Sequence, residues 1–173
     1  VPGPAQGATV GGCTVSCGVL VVDAANDASI ARAVLAEIAK TAAKPVRYLV
    51  ITHAHGDHVN GAPVFAAAGA QVICHENAAG AVAQLLRGSA SSPTSLGVMA
   101  LSERLVFFGG SRRAAIYYLG AGHTNGDLVV PLSHGQALFA GRLVVNWSLP
   151  SLQTRAACPP GVGQNAAASP APC

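Results

Sequence analysis

Short continuous apolar runs alternate along this chain with segments whose apolar residues return at helical spacing. The first run, Val19-Leu20-Val21-Val22 after Gly18, is rich in β-branched residues and predicts a buried strand over 18–23. Ile30, Val34, Leu35 and Ile38 then recur at helical spacing, with Arg32, Glu37 and Lys40 on the other face. Asn26 or Asp27 can cap this helix, and Lys44-Pro45 ends it. The next strand covers 46–52. A strand–helix–strand unit closes most simply as a parallel crossover. A short helix over 63–68 should stop at Gly69, followed by a third strand over 71–75. A small-residue helix over 77–87 offers Val82, Leu85 and Leu86 as apolar contacts, and a Ser-rich loop covers 88–95.

From Leu101 the texture changes. Residues 104–108, 114–119, 128–132 and 137–139 predict short strands, with Ser133-His134-Gly135-Gln136 as a tight hairpin turn. The fold class is therefore α/β. Residues 1–17 are rich in Gly, Pro and small residues and read as an irregular leader. The folded domain spans 18–152, and 153–173, Pro- and Ala-rich with almost no charge, reads as a disordered tail.

A length of 173 residues suits one domain, and 51% hydrophobic against 10% charged residues can build its core. Aromatics are scarce at 5%, so that core must be made mostly of Ala, Val, Leu and Ile. The net charge of +3 is weak and scattered, which argues against a nucleic-acid partner; the tight basic pair Arg112-Arg113 reads as a solvated turn or strand edge. No apolar run approaches the roughly 18 residues of a membrane span. The chain starts at Val1-Pro2 with no secretory signal, so it reads as a processed mature form, an excised segment or a partial sequence. A processed form would suit a periplasmic or secreted protein. Of five cysteines, Cys13 and Cys17 lack the neighbours a zinc site needs, and a disulfide between them would require an oxidising compartment; Cys74 reads as a buried thiol.

The densest chemistry is His53-Ala54-His55-Gly56-Asp57-His58, directly after Tyr48-Leu49-Val50-Ile51. Side chains at i and i+2 of an extended segment point the same way, so His53 and His55 can reach one ion. Gly56 lets the loop turn back, so Asp57 and His58 can face a second position. A third ligand for the first position is available in Gly120-Ala121-Gly122-His123-Thr124-Asn125-Gly126-Asp127, whose glycines allow close approach. Three His plus water is the open arrangement of a catalytic zinc. Asp127 reads as a turn or backbone partner, and His75, at a strand end, as a surface residue or a support for the ligands.

These two motifs, with Val21-Val22-Asp23 before them and Ala137-Leu138-Phe139-Ala140-Gly141-Arg142-Leu143-Val144 after, resemble the metallo-β-lactamase fold superfamily over roughly 18–150. The resemblance implies an αβ/βα sandwich with one or two zinc ions at the sheet edges. His53, His55 and His123 would hold the first metal, and Asp57 and His58 would serve the second. The stretch 139–150 is also loosely similar to zinc hydrolases associated with quinoprotein systems. The chain is short for the family, so the domain is either trimmed at its ends or partial.

Two departures from the family pattern alter that implication. Many family hydrolases carry a metal-bridging Asp where this chain has Arg142, and a guanidinium cannot ligate a cation. No His follows His134, so the usual last ligand is missing. The expectation is one well-formed zinc site and a weak or empty second one. Arg142 could pair with Asp57 or bind an anionic substrate. The ligand set then implies a zinc-dependent hydrolase using metal-bound hydroxide on an ester, thioester, lactone or amide-type bond of a small molecule. Asp57 would orient or deprotonate the water, with Arg142 or Asn125 helping at the oxyanion. The alternative is a degenerate family member that binds metal or ligand without turnover; β-lactamase activity is the narrower reading of the first.

Overall fold

The computed structural model describes residues 9–88, 97–109, 112–132 and 137–144. They form two sheets. The first has strand order β1 (Gly11–Val15), β2 (Gly18–Val22), β3 (Val46–Val50), β4 (Gln71–His75), β5 (Met99–Leu101). The second runs β6 (Arg104–Gly109), β7 (Arg112–Tyr118), β8 (Leu128–Leu132), β9 (Ala137–Phe139). Strands β2 to β5 are parallel, whereas β1 and the whole second sheet pair antiparallel. The helices are α1 (Ala28–Thr41), α2 (Gly56–Val59), α3 (Ala62–Ala67) and α4 (Glu76–Gly88). The expected crossover from β2 through α1 to β3 is present.

Strand alternation distributes the core. Val19, Val21, Leu49, Ile51, Val72 and Cys74 face one way and pack with Phe65, Val82 and Leu86 from the helices. Leu20, Val22, Val50 and Ile73 face the other way and meet Ala114, Ile116, Leu128 and Val130 of the second sheet. The first sheet is thus covered on both faces, which is why its strands read as continuous apolar runs rather than as alternating ones. This arrangement, helices on one face of the first sheet and the second sheet on the other, meets the α/β expectation.

Several expectations need correction. The leader is not irregular throughout: Gly11–Val15 forms the edge strand β1. Its glycines mark close approach, since a Cβ on Gly12 would lie 2.4 Å from the Leu20 carbonyl oxygen and one on Gly11 would lie 2.2 Å from Cε1 of Phe139. Strand β5 and the single turn α2 escape detection because three or four residues are too few to display a period. Ile30, assigned to the apolar face of α1, is 45% exposed; Ala31 is the buried residue of that turn. Asp27, rather than Asn26, caps α1, accepting from the Ser29 and Ile30 amides. Cys17 and Cys74 are free thiols, and burial pushes the Cys74 thiol up to about 12. The Ser-rich loop after α4, the 133–136 turn with His134, Trp147 and the tail lie outside the described residues. Among the described residues no helix is long and apolar enough to cross a membrane.

Parallel pairing delivers the C-terminal ends of β2, β3 and β4 to one edge, carrying Asp23, the His53–His58 motif and His75 there. Antiparallel pairing of β8 with β9 brings the start of β8, after the His123 loop, and the end of β9, before Arg142, to the same side. The Leu128 amide donates to the Thr52 carbonyl at 2.8 Å and joins the two halves there.

Gly61 fixes how α3 seats beneath this edge. A Cβ there would fall 2.0 Å from the Ala24 carbonyl oxygen and 2.7 Å from the Ala31 Cβ, and neither neighbour is a flexible side-chain end. Gly61→Ala is therefore expected to destabilise by about 1–3 kcal/mol through overpacking, read as a lower urea midpoint than wild type.

Candidate metal centre

Three imidazoles converge at the shared edge. One ring nitrogen from each of His53, His55 and His123 lies within 4.8 Å of the other two. The ring centroids of His53 stand 4.9 Å from those of both His55 and His123, and Nε2 of His123 lies 2.8 Å from Nδ1 of His55. His53 is wholly buried and His123 nearly so, while His55 is partly open.

The neighbours of His53 fix its tautomer. The Thr52 hydroxyl has one proton and lies 2.9 Å from both carboxylate oxygens of Asp23. Having donated there, its oxygen can only accept, so Nδ1 of His53, 3.1 Å away, is the donor. The lone pair is then on Nε2, which is buried with no hydrogen-bond partner among the described residues. An orphaned buried acceptor is costly unless a bound group satisfies it. A soft-to-borderline cation held by three neutral imidazoles fits that need. Burial, and then the neighbouring His58, His123 and His55 rings, push the pKa of His53 down to about 3, and His55 is lowered mainly by burial and His123. Both rings therefore stay neutral over the pH range in which an imidazole must ligate.

That depression has a sign. Below about 6.5 the unfolded chain protonates His53, whereas the folded, metal-free chain keeps it neutral down to about 3. Stability of the metal-free protein should fall as pH drops from 6.5 towards 3, and urea midpoints measured across that window check it. A midpoint that rises on acidification would contradict the buried neutral cluster.

The His123 loop is ordered by Asp127, read from sequence as a turn or backbone partner. Oδ2 of Asp127, a buried residue, accepts from the Thr124 amide at 2.6 Å and the Gly122 amide at 3.2 Å, and its Oδ1 accepts from the Thr124 hydroxyl at 2.9 Å. Asn125 is exposed in this loop, and its carbonyl accepts from Nδ2 of Asn77 and the Tyr118 hydroxyl. His75 is neither a surface residue nor a member of the cluster. It is 2% exposed, its ring stacks on Tyr118 at 3.8 Å, and it accepts from the Asn77 amide.

Asp57 and His58 start the turn α2 beside the triad. Nδ1 of His58 lies 2.8 Å from Oδ2 of Asp23, and its Nε2 lies 3.5 Å from Oδ2 of Asp57. Arg142 pairs with Oδ2 of Asp57 through Nη2. Burial raises the Asp57 carboxyl, but the Arg142 hydrogen bond and the His58 and Arg142 charges outweigh it and hold it below the ordinary range. Sequence reasoning missed Asp23 and Thr52 as supports. Their signal was a charge at the end of a buried apolar strand and a hydroxyl directly before the first ligand.

Known proteins resemble this arrangement. Residues 16–169 match the family described as the metallo-beta-lactamase superfamily. A metallo-beta-lactamase type 2 from Bacillus sp. (strain 170) is 30% identical over 129 residues, covering 75% of this chain and 48% of that protein. A linear primary-alkylsulfatase from Pseudomonas sp. (strain ATCC 19151) is 42% identical over 48 residues, 28% of this chain and 9% of that one. The chain thus spans at most about half the length of these curated relatives. Among solved structures, a metallo-beta-lactamase from Pontibacter korlensis superposes with a TM-score of 0.67 at 26% identity, covering 85% of this chain and 66% of that one. A B3 metallo-beta-lactamase with an active-site glutamic acid, at 19% identity and a TM-score of 0.58, shares the fold over 76% of this chain and 54% of its own.

Proposed function

Because the chain belongs to the metallo-beta-lactamase superfamily, we propose that it is a zinc-dependent hydrolase acting on an ester, thioester, lactone or amide-type bond of a small molecule. The observation that carries this reading is the buried Nε2 of His53, which has no hydrogen-bond partner among the described residues at the point where His55 and His123 converge. His53, His55 and His123 would hold a zinc ion, which would supply Lewis acidity for activating water near neutral pH and for offsetting charge on an attacked carbonyl.

The chain's own groups do the rest. Asp57, kept ionised by Arg142, is an acceptor that orients a water beside the triad. Its lowered pKa makes it a better orienting group than a proton sink. Arg142, with a side chain 39% exposed, and Asn125, exposed on the His123 loop, are the donors for negative charge developing on the substrate oxygen. The hydrogen bonds of Asp127 hold His123 in place without themselves meeting substrate.

The test is a turnover screen of the purified chain, loaded with Zn2+, against ester, thioester, lactone and β-lactam substrates. Hydrolysis of one class that chelator abolishes and Zn2+ restores is the expected result. Bound zinc with no turnover of any class favours the second reading, a metal-binding member without activity, for which the Arg142–Asp57 pair is the motivating observation. Turnover of β-lactams alone would narrow the proposal to a β-lactamase.

A further inference from the structure

Beside the triad, His58 and Asp57 converge. Nδ1 of His58 lies 2.8 Å from Oδ2 of Asp23, and its Nε2 lies 3.5 Å from the ionised Oδ2 of Asp57. His58 is 4% exposed and the Asp57 side chain 20%, so water screens the two poorly. An ionised carboxylate in such a place needs a positive charge. The chain supplies one itself: Nη2 of Arg142 donates to the same Oδ2. The backbone is built for this approach. Gly141 has φ +52, and a Cβ there would lie 2.7 Å from Oγ1 of Thr52, so the segment after β9 passes tightly over the strand end that carries His53 and sets Arg142 against Asp57.

We propose that Arg142 takes the place of a second metal ion at Asp57 and His58, so that the centre holds one ion and its stoichiometry is fixed by a side chain. A guanidinium keeps its charge at every relevant pH and offers no lone pair. A divalent ion at Oδ2 would meet that charge at close range while competing for the same oxygen. The inference rests on the reading that the triad holds zinc, but it concerns the neighbouring position.

Metal-free full chain titrated with Co2+ by visible absorption, and zinc content after dialysis against Zn2+, test it without recourse to activity. Wild type is expected to take up one ion per chain. Arg142→Asp should take up a second, with a second-step affinity at least tenfold above that of wild type. Arg142→Gln, which removes the charge but keeps a polar side chain, carries the same comparison if the Asp variant fails to fold. Two tightly held ions in wild type, or variants whose second step matches wild type, overturn the proposal. A wild-type chain that binds no ion overturns the triad reading as well, and a stoichiometry of zero distinguishes that failure from two.

Discussion

His123→Ala protein is expected to fold, to lose its tightly held metal and to lose hydrolysis by about a thousandfold or more, on the order of 4 kcal/mol of transition-state stabilisation. The reason lies in where this ligand comes from. His53 and His55 arrive together at the end of β3, and two neighbouring imidazoles alone leave an ion largely hydrated. His123 crosses from the second half of the chain and closes the group. Its loop does not depend on the imidazole for its shape, because Asp127 holds the Gly122 and Thr124 amides and Asn77 and Tyr118 hold the Asn125 carbonyl. The variant should therefore keep a near-wild-type circular dichroism spectrum while its metal content falls. His75→Gln is the informative control. His75 ends β4 at the same edge and is equally buried, yet its ring is committed to Tyr118 and the Asn77 amide. Metal content should survive that change, whatever stability is lost. Retained metal and hydrolysis in His123→Ala would remove the basis for the three-histidine centre.

The parts of this architecture visible in sequence are those where one physical demand dominates. A sheet covered on both faces forces continuous apolar strands, so β2, β3 and β4 stand out, and the helical period of α1 and α4 survives because each lays one face on that sheet. The triad was legible because ligands cluster where an ion must be held. What stayed hidden depends on pairing partners rather than on local pattern. Strand β1 is an edge whose glycines look like loop residues until Leu20 and Phe139 are seen against them. Strand β5 exists because β4 offers it a partner. Asp23 and Thr52 looked like a strand terminus, since nothing in a linear sequence says that His58 and His53 will turn back onto them. The Arg142–Asp57 pairing lay between these cases: sequence posed it as one of two options, and the close pass of Gly141 over Thr52 selects it.

Asp23 is where the second large effect is expected. Its side chain is 3% exposed and accepts three hydrogen bonds: from the Thr52 amide at 2.8 Å, the Thr52 hydroxyl at 2.9 Å and Nδ1 of His58 at 2.8 Å. It also sits at φ +62, a left-handed conformation that Asp tolerates better than most residues. Asp23→Ala strips the partner from all three donors and should cost about 3–5 kcal/mol, enough to lower the urea midpoint sharply. Asp23→Asn is the sharper test. It suits the same backbone and keeps one acceptor oxygen for Nδ1 of His58, turning its NH2 towards Thr52, so the loss should be about 1–3 kcal/mol. Its amide, however, cannot accept from both Thr52 and His58 as two carboxylate oxygens do. The Thr52 hydroxyl, no longer committed to Asp23, can donate to Nδ1 of His53 and move that ring's proton to Nε2. The lone pair that faces the triad is then lost, and metal affinity should fall about 10–100-fold although no ligand has been touched. Competition with a chromophoric chelator measures this directly. Asp23→Asn protein with wild-type metal affinity would mean that the Asp23–Thr52–His53 chain holds the fold at this edge but does not set the proton on the buried ligand.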